Sequence, residues 1–271
     1  MTESAGIDKI KSAMRSTWMA GDFGKVAEHI TDQAEWFVDQ LDIRPGMRVL
    51  DVACGTGNLA IPAARKGATV TGVDIAPNLL IQARQRAAAE KLKATFEEGD
   101  AEQLLFPENQ FNVVMTMFGA MFAPRPDLVA AELARVCKRG GIVAMANWSP
   151  ASFAGRMFSV SAKYLPPPEG VPPSTLWGDA TVARERLCPH GLLVETSIHP
   201  FEFRFPYPPP EVVEHFRTYF GPTKMAFARL DEANQRAYSA DLVQFWSDHN
   251  IATDGTTKIA NEYLVVIAKK A

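Results

Sequence analysis

Arg48-Val-Leu-Asp-Val-Ala-Cys-Gly-Thr-Gly-Asn-Leu-Ala60 is the stretch on which the reading of this 271-residue chain turns. Residues 49–52 form an apolar run interrupted by one carboxylate, Asp51, and the run breaks at Gly55 and Gly57. Helical composition resumes over 59–66, where Pro62 fits only a first turn and Gly67 stands where a helix C-cap belongs. Strand, glycine turn and helix, in that order, open a nucleotide-binding βαβ unit. On its own, Gly55-Thr-Gly-Asn-Leu-Ala60 also satisfies the G-x-G-x-x-G/A dinucleotide pattern, a weak signal. Asp51 separates the two readings. A carboxylate just before the turn repels a pyrophosphate, and no Lys or Arg between Val49 and Arg65 neutralises one. The turn therefore favours a ligand with fixed positive charge.

S-adenosylmethionine, which carries an ammonium and a sulfonium, is a ligand of that kind. Outward from the turn the chain alternates as such a core requires. Strands are expected at 69–74, 94–97, 111–117 and 142–147. Between them lie an alanine-rich helix at 79–91 and a helix at 128–138 that Gly140-Gly141 ends. Upstream, Ile7, Ile10, Met14 and Trp18 recur at helical spacing, Gly21-Asp-Phe-Gly24 breaks the pattern, and Val26 to Leu41 predicts one longer amphipathic helix. Downstream of Trp148, prolines interrupt a segment that also carries Phe153, Phe158, Tyr164 and Trp177, too aromatic for a disordered linker. A strand region at 191–205, helices at 211–220 and 227–249 and a final strand at 261–269 complete the chain.

The pattern predicts an α/β fold: a doubly wound, Rossmann-like, seven-stranded and mostly parallel sheet with helices on both faces. An N-terminal helical cap (1–46) precedes the cofactor-binding core (47–148). A Pro/aromatic-rich insertion after strand five (149–180) is read as a substrate lid, and 181–271 completes the sheet with a helical insertion. The net charge of −3 shows no basic footprint for nucleic acid. Cys54, Cys137 and Cys188 form no C-x-x-C pair, which argues against zinc or a disulfide framework and fits a reducing compartment. The N-terminus has no basic and apolar signal pattern, and no run reaches the ~18 apolar residues that span a bilayer. A cytoplasmic protein without membrane insertion is the expectation.

The arrangement resembles the class I S-adenosylmethionine-dependent methyltransferases, and within them the ubiquinone/menaquinone-type small-molecule enzymes. The resemblance rests on Val49-Leu-Asp-Val-Ala-Cys-Gly-Thr-Gly57, Val70-Thr-Gly-Val-Asp-Ile75 and Gly99-Asp-Ala-Glu102, extended by Met117-Phe-Gly-Ala-Met-Phe122 and 132–141. Trp18-Met-Ala-Gly-Asp-Phe23 and Trp177-Gly-Asp179 are similar to segments of uncharacterised members of that group. Asn112, where an aspartate commonly opens strand four, and Lys138-Arg139, where a proline precedes the glycines, depart from the pattern. The absence of an Asn/Asp-Pro-Pro-aromatic tetrapeptide after strand four argues against amine methylation on nucleobases or glutamine.

Position assigns expected roles. Gly55 and Gly57, with Ala53, Cys54 and Thr56 beside them, let the backbone approach the methionine moiety. Asp51 would receive its ammonium, directly or through water. Asp74 would accept two ribose hydroxyls, Ile75 pack on the adenine, and Asp100 and the Ala101 amide meet the adenine edge. Met117 and Phe118 would face the methyl-donor crevice, with Trp18 and Phe23 closing over it. Each has a plainer alternative: Asp100 suits a helix N-cap, Met117 core filler, Trp18 a core anchor, and Cys54 packing rather than nucleophilic attack. A catalytic base stays unassigned, His199 and His215 being the better placed of the five histidines. The aromatic 148–220 region suits an apolar or aromatic small-molecule acceptor and equally a homodimer interface. A nicotinamide-dependent oxidoreductase and a non-catalytic S-adenosylmethionine sensor are the competing readings.

Overall fold

Val49, Leu50, Val52, Val113, Val114 and Met115 are all essentially inaccessible to solvent, as strands covered on both faces must be. They belong to β1 (Arg48–Val52) and β4 (Phe111–Met117) at the centre of a seven-stranded sheet. The structure is a computed structural model and describes residues 3–271. The other strands are β2 (Thr69–Asp74), β3 (Ala94–Glu98), β5 (Cys137–Asn147), β6 (Leu192–Phe205) and β7 (Thr257–Lys270), in the order β3-β2-β1-β4-β5-β7-β6. Pairing is parallel from β3 to β5, and β7 runs antiparallel to both its neighbours. Strand order reverses between β1 and β4, which opens a crevice at their carboxyl ends.

Helices α4 (Ala60–Arg65), α5 (Pro77–Ala89) and α6 (Pro126–Val136) cross between the parallel strands. Pro62 sits in the first turn of α4, and Gly67, at φ +84°, ends it with its N–H on the Ala64 carbonyl, as the sequence predicts. Gly140-Gly141 acts differently. The pair lies inside β5 rather than closing α6, because Gly140 takes φ +74° and lets β5 bulge between its pairings with Phe111 and Val113. Asn112, on the partner strand, accepts the Arg48 N–H with its side-chain oxygen at 2.9 Å.

Two expected helices divide. The 26–41 pattern becomes α2 (Phe23–Ala27), a 3-10 turn over Glu28–Ile30 and α3 (Thr31–Asp39), since Ile30 leaves helical geometry at φ −136°. Periodicity does not register the break, because Val26, Ile30, Ala34, Phe37 and Val38 stay buried on one side. The 227–249 stretch divides at Leu230, and Asp231 starts the second helix by accepting the Asn234 N–H at 2.8 Å.

β6 and β7 pair over their whole length, from Leu192–Lys270 to Phe205–Thr257, whereas β5 meets β7 only up to Asn147–Leu264. The upper half of the hairpin therefore stands beyond the rest of the sheet and must bury its face elsewhere. Phe201, Phe203 and Phe205 do so against Trp148, Phe153, Phe216 and Trp246, with Phe153 4.6 Å and Phe216 5.4 Å from Trp246. Trp148 directly follows β5; the other three rings come from α7 (Phe153–Tyr164), α9 (Pro209–Tyr219) and α11 (Glu232–His249), which pack as one helical layer with α10 (Gly221–Arg229). Trp177-Gly-Asp179 is structural: Trp177 is buried, a Cβ on Gly178 would strike the Trp148–Ser149 backbone, and Asp179 caps α8 (Ala180–Leu187).

Helix α1 (Glu3–Ala20) joins that layer through α10, where Gly221 lies under the Thr17 carbonyl and Gly21 under that of Tyr219. Neither contact leaves room for a Cβ. Gly221→Ala should therefore lift α1 off α10 and cost about 1–3 kcal/mol, read as a lowered denaturation midpoint. An unchanged midpoint would show the contact to be slack.

Candidate active site

The crevice between β1 and β4 deepens into a cavity of about 500 Å³. β1 contributes Asp51, and the turn after it contributes Ala53, Cys54, Gly55, Asn58 and Leu59. Asp74 and Ile75 come from the end of β2, Glu98 to Ala101 from the end of β3, and Met117 to Ala120 from the end of β4. Helix α1 forms a wall with Lys11, Met14, Arg15 and Trp18, and Phe23, Ile30 and Ala34 complete it. Of the cofactor residues read from the sequence, all but Thr56 and Gly57 line this one cavity.

The backbone around the turn is strained where it meets the cavity. Ala53 (φ +57°) and Phe118 (φ +55°) are both left-handed, a conformation that costs a non-glycine residue about 1–2 kcal/mol. Gly119, next to Phe118, lies directly against Ala53, since a Cβ on it would lie 2.6 Å from the Ala53 Cβ. Phe118 is held in place by its stack on Trp148, at 3.6 Å between centroids and 5° between planes. Gly55 (φ +53°) borders the cavity, and the nearest atom to a Cβ there would be a Phe23 ring carbon at 3.8 Å. Gly57 looks the other way, onto Ala83 and Phe96, and serves the packing of α5 against β3. Thr56, also turned from the cavity, is tied by Arg86 of α5, which donates to its carbonyl at 2.7 Å and to Asn58 Oδ1 at 2.7 Å. A cation thus does reach the turn, from α5, but it grips the turn's outer side rather than the ligand's.

Two buried carboxylates dominate the electrostatics. Asp74 accepts the Gly55 N–H at 2.8 Å and the Ala76 N–H at 2.9 Å, one on each oxygen. Asp51 accepts the Ala60 N–H at 3.0 Å. Burial raises the Asp51 carboxyl well above its ordinary range against the pull of the Ala60 amide, and the Asp74 charge adds to the rise. Burial raises Asp74 too, opposed by the amides of Ala76, Gly55 and Ile75. The Cys54 thiol, pushed up chiefly by burial and then by Asp51 and Asp74, packs against Gly72 and stays protonated. A cationic ligand group would relieve both carboxylates.

At the other end Asp100 accepts the Glu102 N–H on one oxygen and the Lys11 ammonium, 2.5 Å away, on the other. Arg15 donates to the Ile75 carbonyl at 3.1 Å and to Glu98 at 2.7 Å. These α1 cations were not read from the sequence: they lie dozens of residues from the motifs they meet, and helical spacing alone marks only the apolar side of α1; Phe122 closes the quoted 117–122 segment but was given no role there. Trp18 stands edge-on to Phe23 (6.1 Å), Phe122 (5.2 Å) and Phe220 (5.9 Å).

His199 and His215 lie outside the cavity lining, a correction to their candidacy as bases. His199 stacks on Trp36 at 3.5 Å with Nε2 on Gln33, and His215 meets the Lys25 carbonyl and the His29 ring. Burial lowers both, with the His29 charge a further cause for His215. Their chemistry is spent on packing the α2–α3 segment against β6 and α9.

The raised Asp51 carboxyl has a consequence for pH. A carboxyl whose value is raised on folding destabilises the folded state above that value; the penalty shrinks as pH falls through it and is gone below the unfolded-state value. Asp51→Asn should leave the unliganded protein as stable as the wild type or more so at neutral pH. The same change should weaken S-adenosylhomocysteine binding by about 1.5–3 kcal/mol, roughly 10- to 150-fold. Wild-type affinity should fall across the acidic range as the raised Asp51 carboxyl takes up its proton, and the variant should lose that slope. Calorimetry across that range checks both; a variant that binds like the wild type would remove Asp51 from the ligand's contacts.

A methyltransferase-domain family profile matches residues 49–141, the strands and turns that build this cavity. An uncharacterized protein of Mycobacterium tuberculosis is 34% identical over 258 residues, 94% of this chain and 93% of its own length. A phosphatidylethanolamine N-methyltransferase of Cereibacter sphaeroides is 36% identical over 127 residues, 46% of this chain and 60% of that one. Among solved structures, phosphoethanolamine N-methyltransferase 2 of Haemonchus contortus in complex with S-adenosyl-L-methionine superimposes with a TM-score of 0.54 at 18% identity, over 89% of this chain and 53% of that one. With the fold, the glycine turn and the buried carboxylates in agreement, the chain belongs to the class I S-adenosylmethionine-dependent methyltransferases.

Proposed function

We propose that this protein transfers the methyl group of S-adenosylmethionine to a small apolar or aromatic molecule in the cavity at the β1–β4 switch point. The observation that carries the reading is the pairing, in one cavity, of two buried and amide-held carboxylates with the rings of Trp18, Phe23, Phe118 and Phe122. The bound cofactor supplies an electrophilic methyl group on a sulfonium. Asp51 would hold its ammonium, and the space over Gly55 would admit the methionine backbone. Asp74, with one lone pair on each oxygen still free, would accept the ribose hydroxyls. Ile75, Asp100 and Ala101 would flank the adenine.

The aromatic side of the cavity would orient the acceptor and exclude water, which suffices for an in-line displacement by an intrinsically nucleophilic atom. The reading includes Trp18–Phe23 as a closing wall over the cofactor and the 149–180 segment as part of the acceptor's enclosure. α7 supports this through Phe158, 5.9 Å from the cavity's Phe122. Free cysteines at Cys54, Cys137 and Cys188 suit a cytoplasmic setting. Among the described residues no helix is long and apolar enough to cross a membrane.

S-adenosylhomocysteine should raise the thermal midpoint while NAD(H) and NADP(H) leave it unchanged; stabilisation by a nicotinamide alone would sink the proposal. Turnover on a panel of phenols, quinols, carboxylates and amines should single out an apolar or aromatic acceptor, and its failure across the panel would favour a non-catalytic binder. Asp74→Asn should lower S-adenosylhomocysteine affinity by about 10-fold or more. It keeps an oxygen for one of the two backbone amides and orphans the other, where Asp74→Ala would orphan both, so the denaturation midpoint of the unliganded variant is measured beside its affinity. Unchanged affinity by calorimetry would count against the ribose assignment.

A further inference from the structure

The adenine end of the cavity is bounded by a charge network that the cofactor contacts do not require. Lys11 Nζ of α1 lies 2.5 Å from Asp100 Oδ2 and 2.6 Å from Glu102 Oε2. The Glu102 side chain is wholly inaccessible. Its Oε2 also takes the Arg125 guanidinium at 2.7 Å, and its Oε1 accepts the Arg125 backbone N–H at 2.7 Å. One buried carboxylate therefore joins two segments that never touch in sequence, α1 and the loop between β4 and α6. That loop carries Phe122, Ala123 and Pro124 of the cavity wall directly before Arg125, which stands at the N-cap of α6.

We infer that Glu102 is a positioning residue that couples the seating of α1 over the adenosine pocket to the placement of the Phe122 wall. A buried carboxylate is tolerated only while its partners satisfy it. With α1 seated, Lys11 and Arg125 together neutralise Glu102 at Oε2, and Trp18 of the same helix meets Phe122 edge-on at 5.2 Å. When α1 leaves, Glu102 keeps Arg125 alone, and water entering beside the carboxylate competes for the guanidinium and backbone N–H that fix the loop. Seated helix and ordered wall are then one state, so a ligand that favours either favours both. Lys11 also holds Asp100, which links the same latch to the carboxylate at the adenine edge. The inference rests on reading the cavity as the adenosine pocket and goes beyond it by naming what connects cofactor closure to the acceptor side.

The test uses the full chain with S-adenosylhomocysteine as probe, read by calorimetry and hydrogen exchange. In the wild type the probe should increase protection over 7–20 and over 119–125. Lys11→Met should abolish the gain at 119–125, residues with which the Lys11 ammonium makes no hydrogen bond, and Arg125→Met should abolish it at 7–20. A local structural role for either side chain would leave the distant segment unchanged. Each single variant should weaken affinity by about 10-fold, and the double variant by little more, since both act through one carboxylate. Glu102→Gln should reproduce the double variant; should it fail to fold, the Lys11 and Arg125 variants, whose side chains are partly exposed, carry the test. Additive losses near 100-fold, or unchanged exchange in the distant segment, would overturn the coupling alone. No binding of the probe by the wild type would overturn the pocket assignment with it.

Discussion

The Asp74 carboxylate is the constraint from which the site is built. It ends β2 and bonds forward to the Ala76 N–H, at the entry to α5, and across to the Gly55 N–H in the turn after β1. Two neighbouring strand ends are thereby locked in one register by a group that is 8% exposed. With that turn fixed, Ala53 can be held left-handed against Gly119, and Phe118 can be presented from β4. The strain at Ala53 and Phe118 is offset by the rigidity of the parallel ladder beneath, in which Asp51 pairs with Gly72 on one side and Met115 on the other.

Keeping Asp51 and Asp74 in one enclosed space has a cost that no cation among the described residues relieves. Arg86 comes close but faces away, bound to the outer side of the turn, and Lys11 and Arg15 are engaged by the acidic residues after β3 and by the Ile75 carbonyl. The cavity is graded as a result, with buried carboxylates at Asp51 and Asp74, an ion-paired rim at Lys11, Arg15 and Asp100, and aromatic walls at Trp18, Phe23, Phe118 and Phe122. Such grading discriminates against a pyrophosphate and in favour of a ligand that is cationic at one end, which was the argument made from Asp51 in the sequence.

The core was legible because its determinants are local. An apolar run, a glycine pair and a strand-end aspartate sit within a few residues of each other, and β1, β2, β4 and the turn around Gly55 follow from them. The N-terminal and C-terminal helices were legible in position but not in their breaks: burial continues through Ile30 where helical geometry stops, and the Asp231 cap after half-buried Leu230 sits within a stretch of helical composition. The Gly140-Gly141 pair was misread for a related reason: a glycine that ends a helix and one that bulges a strand have the same local signature, and only the pairing with β4 decides. His199 was singled out for its chemistry, yet its ring is occupied by Trp36 and its nitrogen by Gln33, partners more than a hundred residues away.

What the sequence could least convey is the dual use of its aromatic residues. Phe122 lines the cavity and touches Phe158 of α7, while Trp18 lines the cavity and touches Phe220 beside α10. Both therefore have one face toward a ligand and the other in the core of the helical layer. Packing in that layer is dense, and volume changes in a dense core propagate to neighbouring side chains. A substitution at Phe158 or Phe220, neither of which borders the cavity, thus alters the wall that a ligand meets. The helical layer supplied by 149–180 and 206–250 can in this way reshape the aromatic wall of the cavity while the carboxylates and the glycine turn at the β1–β4 crevice are left untouched.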